Sequence, residues 1–194
     1  PRRRLCAQGH QDWRASNPAG YGVNWTCGME VAIRAINIVF STTPLLADAS
    51  CDEHRLVTDC LNEHLAYLQR FPENSDVPGN HLLADLLGEV VLNAALHGFE
   101  DEQTKKALHH FSNEADRQFE PDGCHLEHAT IYHRLSMDMV ATALAIAVHS
   151  STPCAHKLQT IFKRAALFAG SIASHNGTLP VFGDQDSGFV LWLN

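Results

Sequence analysis

Along most of this chain apolar residues recur at helical intervals, and the recurrence changes character from one stretch to the next. From about Trp25 to Phe40 nearly every position is apolar, with Met29, Val31, Ala32, Ile33, Ala35, Ile36, Ile38 and Val39 around a narrow polar stripe of Glu30, Arg34 and Asn37. A helix apolar on almost all sides belongs in an interior. Glu30 and Arg34 stand four apart in the favourable order, so they either neutralise each other or leave Arg34 to line a cavity. From Ser50 to Arg70 the pattern is one-sided. Val57, Leu61, Leu65 and Leu68 share one face, while Asp52, Glu53, Arg55, Asp59 and Glu63 occupy the other. Ser50 followed by Glu53 is a capping-box pattern, and Phe71-Pro72 ends the run.

Residues 73–79 have loop composition and lead into a helix from Asn80 to about His97 that buries Leu82, Leu83, Leu86, Leu87, Val90, Val91 and Ala94. On it His81, Asp85, Glu89, Asn93 and His97 repeat every four residues. Four residues overshoot a turn by about 40°, so only neighbours in this series share a face. His81, Asp85 and Glu89 have spacing compatible with metal ligation, but the polar side of an amphipathic helix is the simpler reading. A further amphipathic helix runs from Asp101 to about Phe119, followed by the turn Pro121-Asp-Gly123. Ile131 to about Ser150 is a long helix with Tyr132, Leu135, Met139, Ala143 and Ile146 on one side. Thr152 and Pro153 then start a last helix, 154–173, whose inward side is Leu158, Ile161, Phe162, Ala165 and Phe168. In the loop Gly183–Gly188, Asp184 and Asp186 read as solvated turn acids rather than a cation site. Phe189 to Leu193 reads as a strand or the start of another helix.

The chain is thus predicted to be all-α. Helices rich in apolar residues (25–40, 80–97, 131–150) alternate with amphipathic ones (50–70, 101–119, 154–173), as stacked antiparallel hairpins with inner helices covered by outer ones would require. No short-period repeat is visible, so this is not a tetratricopeptide-type solenoid. A length of 194 residues suits one domain with a sizeable core, spanning residues 1–194. The longest apolar runs read as too short to span a bilayer. The net charge of −8 argues against a nucleic-acid partner. The basic start, Pro1-Arg-Arg-Arg4, reads as a solvated terminus, and a first residue other than methionine suggests a processed form or a piece of a longer chain. Six cysteines without CxxC spacing read as buried thiols rather than a zinc ribbon. There is no Gly-rich phosphate loop, no Gly-x-Ser-x-Gly and no His-Glu-x-x-His, so nothing calls for a cofactor or metal.

Four segments, in this order and spacing, carry a resemblance: Asn24 to Asn37 (NWTCGMEVAIRAIN), Gly79 to Gly88 (GNHLLADLLG), Gln118 to His133 (QFEPDGCHLEHATIYH) and Gly177 to Gly188 (GTLPVFGDQDSG). Together they resemble the heparinase II/III-like polysaccharide lyases and related alginate lyases. The resemblance implies an incomplete α/α-toroid of about six main helices, with a C-terminal β-sandwich domain of the same protein expected beyond Asn194. It also implies β-elimination on a uronic-acid polysaccharide, as in glycosaminoglycans or alginate-like polymers, by a periplasmic or secreted protein. In that reaction the C5 carboxylate is neutralised, the C5 proton is removed and the leaving oxygen is protonated. Hydrogen-bond donors such as Asn and His suit the first task, and Tyr and His suit proton transfer.

By the same resemblance, Asn80 would bind the uronate carboxylate, His81 would assist it or act as base, and Tyr132 would donate the proton. Arg34, Glu127 and His133 would lie along the substrate cleft. A further histidine would come from the sandwich domain. Two readings stay beside this one: a non-catalytic carbohydrate-binding scaffold on the same toroid, and a metal-dependent helical hydrolase built on histidine and carboxylate clusters.

Overall fold

The computed structural model describes residues 9, 11–74, 78–184 and 188–191. After a helical segment at 11–16 and a 3₁₀ turn at Val23–Trp25, the main helices are α1 (Gly28–Leu46), α2 (Cys51–Arg70), α3 (Asn80–His97), α4 (Glu102–Gln118), α5 (Thr130–His149) and α6 (Cys154–Ile172). Among the described residues there is no strand, only an isolated antiparallel bridge between Phe119 and His125. The six long helices are the six expected. Ser50 and Glu53 do form the capping box that starts α2. The first helix departs from expectation at its far end. It continues through Pro44 to Leu46, where Thr42 and Thr43 return hydroxyl hydrogen bonds to the Ile38 and Val39 carbonyls. Pro44 has no N–H for the Phe40 carbonyl, and the helix ends two residues beyond it.

The helices form two layers. α1, α3 and α5 pack in sequence as an inner layer, with α3 between its two neighbours. α2 lies over α1 and α3, α4 over α3, and α6 over α5 and against α4. This is the curved, double-layered arrangement of an incomplete α/α-toroid. Its registers follow from close approaches. Gly28 meets Asp85 and Ala32 meets Gly88, so α1 and α3 run parallel. A Cβ on Gly88 would stand 2.7 Å from a Leu68 methyl and 2.9 Å from the Ala32 Cβ, so glycine here is what lets α1, α2 and α3 come together. The core follows the same logic. Leu83, Leu87, Val90 and Leu92 of α3 are fully buried, as are Ile36 of α1, Leu68 of α2, Leu108 and Phe111 of α4, Met139 of α5 and Leu158 of α6.

By length and composition, α1 and α5 are apolar enough to cross a bilayer, contrary to the reading of the apolar runs. Their place here explains the composition differently, since both are inner helices of the arc and contribute to its core. The cysteines also depart from expectation. Cys60 and Cys154 are buried, but Cys51 is exposed and Cys27 and Cys124 are partly exposed, all as free thiols. Cys6 lies outside the described residues. The segment 188–191 is neither helix nor strand. Instead it crosses between inner helices: Arg134 Nη2 of α5 donates to the Gly188 carbonyl (2.7 Å), and Asn37 Nδ2 of α1 donates to the Val190 carbonyl (2.9 Å).

Two buried histidines tie this frame together in neutral form. His64 of α2 is bonded through Nδ1 to the Cys60 carbonyl (2.7 Å), and its Nε2 takes the Nε–H of Arg34 (3.1 Å). His125 Nε2 is bonded to Gln118 Oε1 at 3.0 Å. Burial, helped by nearby positive groups, pushes both imidazoles down from 6.5 to about 4. Because the folded values lie below the unfolded one, stability is fully present above about pH 6.5 and is lost as pH falls toward 4. Each histidine contributes on the order of 3 kcal/mol to that loss at most. Urea unfolding between pH 7.5 and 4.5 is expected to show the decline, and a His64→Gln, His125→Gln double variant is expected to flatten it.

Candidate functional site

Because the inner helices are parallel, their N-termini share one rim of the arc. The rim therefore gathers residues 27–28, 80–81 and 129–132, together with the loops 71–74, 78–79 and 119–129. Each helix start leaves N–H groups without intrahelical partners and carries a partial positive charge. The residues that meet those groups define the site.

At α3 the partner comes from a distant loop. The N-cap, Gly79, has no side chain to offer. The Glu127 carboxylate takes the Asn80 backbone N–H at 2.6 Å, and the Asn80 side-chain Nδ2 donates to its two oxygens, at 2.9 and 2.8 Å. A Cβ on residue 79 would stand 2.3 Å from Glu127 Oε1, so only glycine admits the carboxylate. The loop that carries Glu127 is itself anchored. Leu126 N–H donates to the Gln118 carbonyl (2.8 Å), and the Gln118 side-chain amide donates to Glu114 (2.8 Å) and to the Gly79 carbonyl (2.9 Å) while accepting from His125. Asn80 and Glu127 are thus brought together, with Asn80 almost wholly buried.

His81, the next residue, faces outward with its side chain about half exposed, and its Nδ1 bonds to Glu73 Oε2. Glu73 is held on every side. Its other oxygen accepts the Gly28 N–H at the start of α1 (2.5 Å), and its own N–H donates to Asp85 Oδ2 (2.8 Å). Burial alone would raise the Glu73 carboxyl. The donors from Cys27, His81 and Gly28 outweigh that and hold it below the ordinary range. Burial pushes Asp85 the other way, up to about 7, and the Glu73 charge adds to it. Burial likewise raises the Cys27 thiol to about 11, opposed by the Glu30 backbone N–H and helped by Glu73. Cys27 Sγ lies 4.0 Å from His81 Nδ1. Glu73 and Asp85 were not marked as site residues by the sequence. Glu73 sits in a loop with no periodicity to betray it, and Asp85 looked like a polar-face residue.

The other expected residues stand elsewhere. Among the described residues Arg34 makes no ion pair with Glu30 and packs instead on aromatic rings. Its guanidinium lies 4.8 Å from the Trp13 ring centroid and 5.0 Å from that of Trp25, and Nε bonds to His64. Its charge is carried by a cage of rings, and burial lowers its pKa. His133 is buried, with Nε2 bonded to the Ala165 carbonyl of α6 (3.1 Å) and Nδ1 accepting the His125 N–H (3.3 Å). Both ring nitrogens are engaged within the protein, so His133 ties α5 to α6 and to the 119–129 loop, where a cleft position was expected. Tyr132 is partly buried in the first turn of α5. Beside it, Thr130 N–H donates to the Phe182 carbonyl (3.0 Å), and Gly183, at φ +73°, packs so closely on Ala129 that a Cβ would stand 2.7 Å from it. Asp184 belongs to this same loop, and Asp186 lies outside the described residues. His81, Asp85 and Glu89 do not converge as a ligand set. Asp85 points into the interior while His81 is exposed.

The fold and this rim define a helical-toroid domain of the kind found in polysaccharide lyases. The Heparinase II/III N-terminus family model matches residues 6–189, and the chain belongs to that family. Among solved structures it is similar to a heparinase III with methylated lysines, at 20% identity and a TM-score of 0.64 over 92% of this chain. It spans 31% of the length of that protein. No curated protein sequence matches the chain.

Removing the Glu127 carboxylate would leave the buried start of α3 without its acceptor. Glu127→Ala is expected to lower stability by about 2–3 kcal/mol, the cost of losing charge-assisted hydrogen bonds to buried donors. Glu127→Gln, which keeps one acceptor, is expected to lose less. Urea unfolding at neutral pH measures both.

Proposed function

We propose that this chain is the helical half of a polysaccharide lyase that cleaves a uronic-acid-containing polymer by β-elimination, acting outside the cytoplasm. The observation that carries the reading is the family match together with Asn80 and His81 standing at the N-terminal rim of the inner helices. A rim of helix N-termini favours an acidic polymer, because the partial positive charge of helix starts suits carboxylates.

In this reading the Asn80 amide binds the uronate carboxylate. Its hydrogens now rest on Glu127, so substrate binding exchanges one carboxylate oxygen for another and loses little in hydrogen bonding. Neutralising the carboxylate stabilises the enolate-like charge that develops when the C5 proton leaves. His81, with Nδ1 engaged by Glu73, works through Nε2, as donor to the same carboxylate or as acceptor of the proton. Tyr132 protonates the leaving oxygen. The remaining histidine of the reaction, and the β-sandwich domain that would bring it, belong to the proposed full-length protein. Arg34 and His133 act at one remove, by holding α1 and α5 in place.

The test is a full-length protein mixed with uronate polymers while absorbance of the unsaturated product is followed. Tyr132→Phe is expected to abolish the signal, and Asn80→Ala to lower kcat by about 10²–10³-fold, as loss of a transition-state donor does. Normal turnover by Tyr132→Phe overturns the assignment. Oligosaccharide binding with no product from the wild-type protein would favour a non-catalytic carbohydrate-binding domain.

A further inference from the structure

Three segments distant in sequence deliver a thiol, a carboxylate and an imidazole to one point. Cys27 is the residue before α1, Glu73 comes from the α2–α3 loop, and His81 is the second residue of α3. One ligand atom from each lies within 4.8 Å of the others, with Cys27 Sγ 4.0 Å from His81 Nδ1 and Glu73 Oε2 in contact with the same nitrogen. We propose that Cys27, Glu73 and His81 form a binding site for a zinc-class divalent ion, clipping the starts of α1 and α3 to the loop between α2 and α3.

The geometry is close to what such an ion needs. Tetrahedral zinc with Zn–S of about 2.3 Å and Zn–N of about 2.0 Å puts sulfur and nitrogen about 3.5 Å apart, so that pair closes by about half an ångström on loading, while the direct contact between Glu73 and His81 opens to about 3.3 Å to admit the ion. Glu73 is already fixed by the Gly28 N–H and by Asp85, so little freedom is lost when it turns ligand. Asp85 supplies a second, independent observation. It is 1% exposed, it holds the Glu73 backbone, and its Oδ1 has no hydrogen-bond partner. A buried carboxyl left half-satisfied beside this cluster is a group whose charged form a neighbouring cation would stabilise. The ligand set selects the metal class, because a thiolate and an imidazole with one carboxylate suit zinc and disfavour calcium or magnesium. His81 is exposed on one side, so a fourth position opens to water. Binding releases the thiol proton into solvent, and the single ring proton of a neutral imidazole moves from Nδ1 to Nε2 through solvent. With the ion on Nδ1, Nε2 carries that proton, and under the lyase reading His81 would then donate to the uronate carboxylate rather than act as base.

The experiment uses the full-length protein stripped of metal with a chelator, then titrated with Co²⁺ and Zn²⁺. Co²⁺ is expected to give a thiolate charge-transfer band and the visible bands of a four-coordinate site, both absent from Cys27→Ser and weakened tenfold or more in affinity by His81→Ala. Saturating Zn²⁺ is expected to shield Cys27 of the wild-type protein from alkylation, read by peptide mass spectrometry, while exposed Cys51 reacts as before. An identical Co²⁺ spectrum and stoichiometry in wild type and Cys27→Ser overturns the site. So does undiminished alkylation of Cys27 in zinc, which needs no variant to fold. None of these readouts depends on turnover, so failure of the metal site and failure of the lyase reading give different results.

Discussion

Everything at the rim depends on one carboxylate capping a helix from outside it. α3 is packed on four sides by other helices, and Asn80 at its start is almost wholly buried. Its first N–H groups still need acceptors. Gly79 provides none, and the chain solves the problem with Glu127, forty-odd residues further on. That choice forces glycine at 79, fixes the 119–129 loop against α3 through Gln118 and His125, and sets Asn80 as a buried amide rather than an exposed one.

The same device recurs at α1, where Glu73 accepts the Gly28 N–H. Two parallel helix starts are thus each met by an imported carboxylate. The rim's helix starts are occupied by the chain's own acids, and under the lyase reading an acidic polymer would have to trade places with them. Net charge hides this. A chain at −8 seems ill-suited to acidic partners, yet the charges that matter are helix termini, which no residue count includes.

How much of this was legible follows from the range of each interaction. The helices, their alternation and the inner–outer layering rest on 3.6-residue periodicity, a local property, and were readable from the apolar pattern. The capping box at Ser50 is equally local. Arg34 was not readable, since its partners Trp13, Trp25 and His64 come from three other parts of the chain and replace the Glu30 pairing that proximity alone suggests. Glu73 carries no pattern at all, because it is placed by a loop. Pro72 ends the α2 pattern and says nothing about where the next side chain points. The resemblance put Glu127 along the substrate cleft and said nothing of the bond between its carboxylate and Asn80.

The histidines show why residue type alone could not choose among these roles. His64, His125 and His133 are buried and bonded at their ring nitrogens to groups inside the fold, so they act as rigid neutral connectors. His81 is bonded through one nitrogen to a carboxylate and is exposed beyond it. The difference lies in what the second nitrogen meets: protein in the first group, the rim in the second. An imidazole with both nitrogens engaged in the interior has no proton to exchange without breaking the frame. One held through Nδ1 alone keeps its orientation and leaves Nε2 for chemistry. At this rim His81 is half-tethered, and the tether is Glu73.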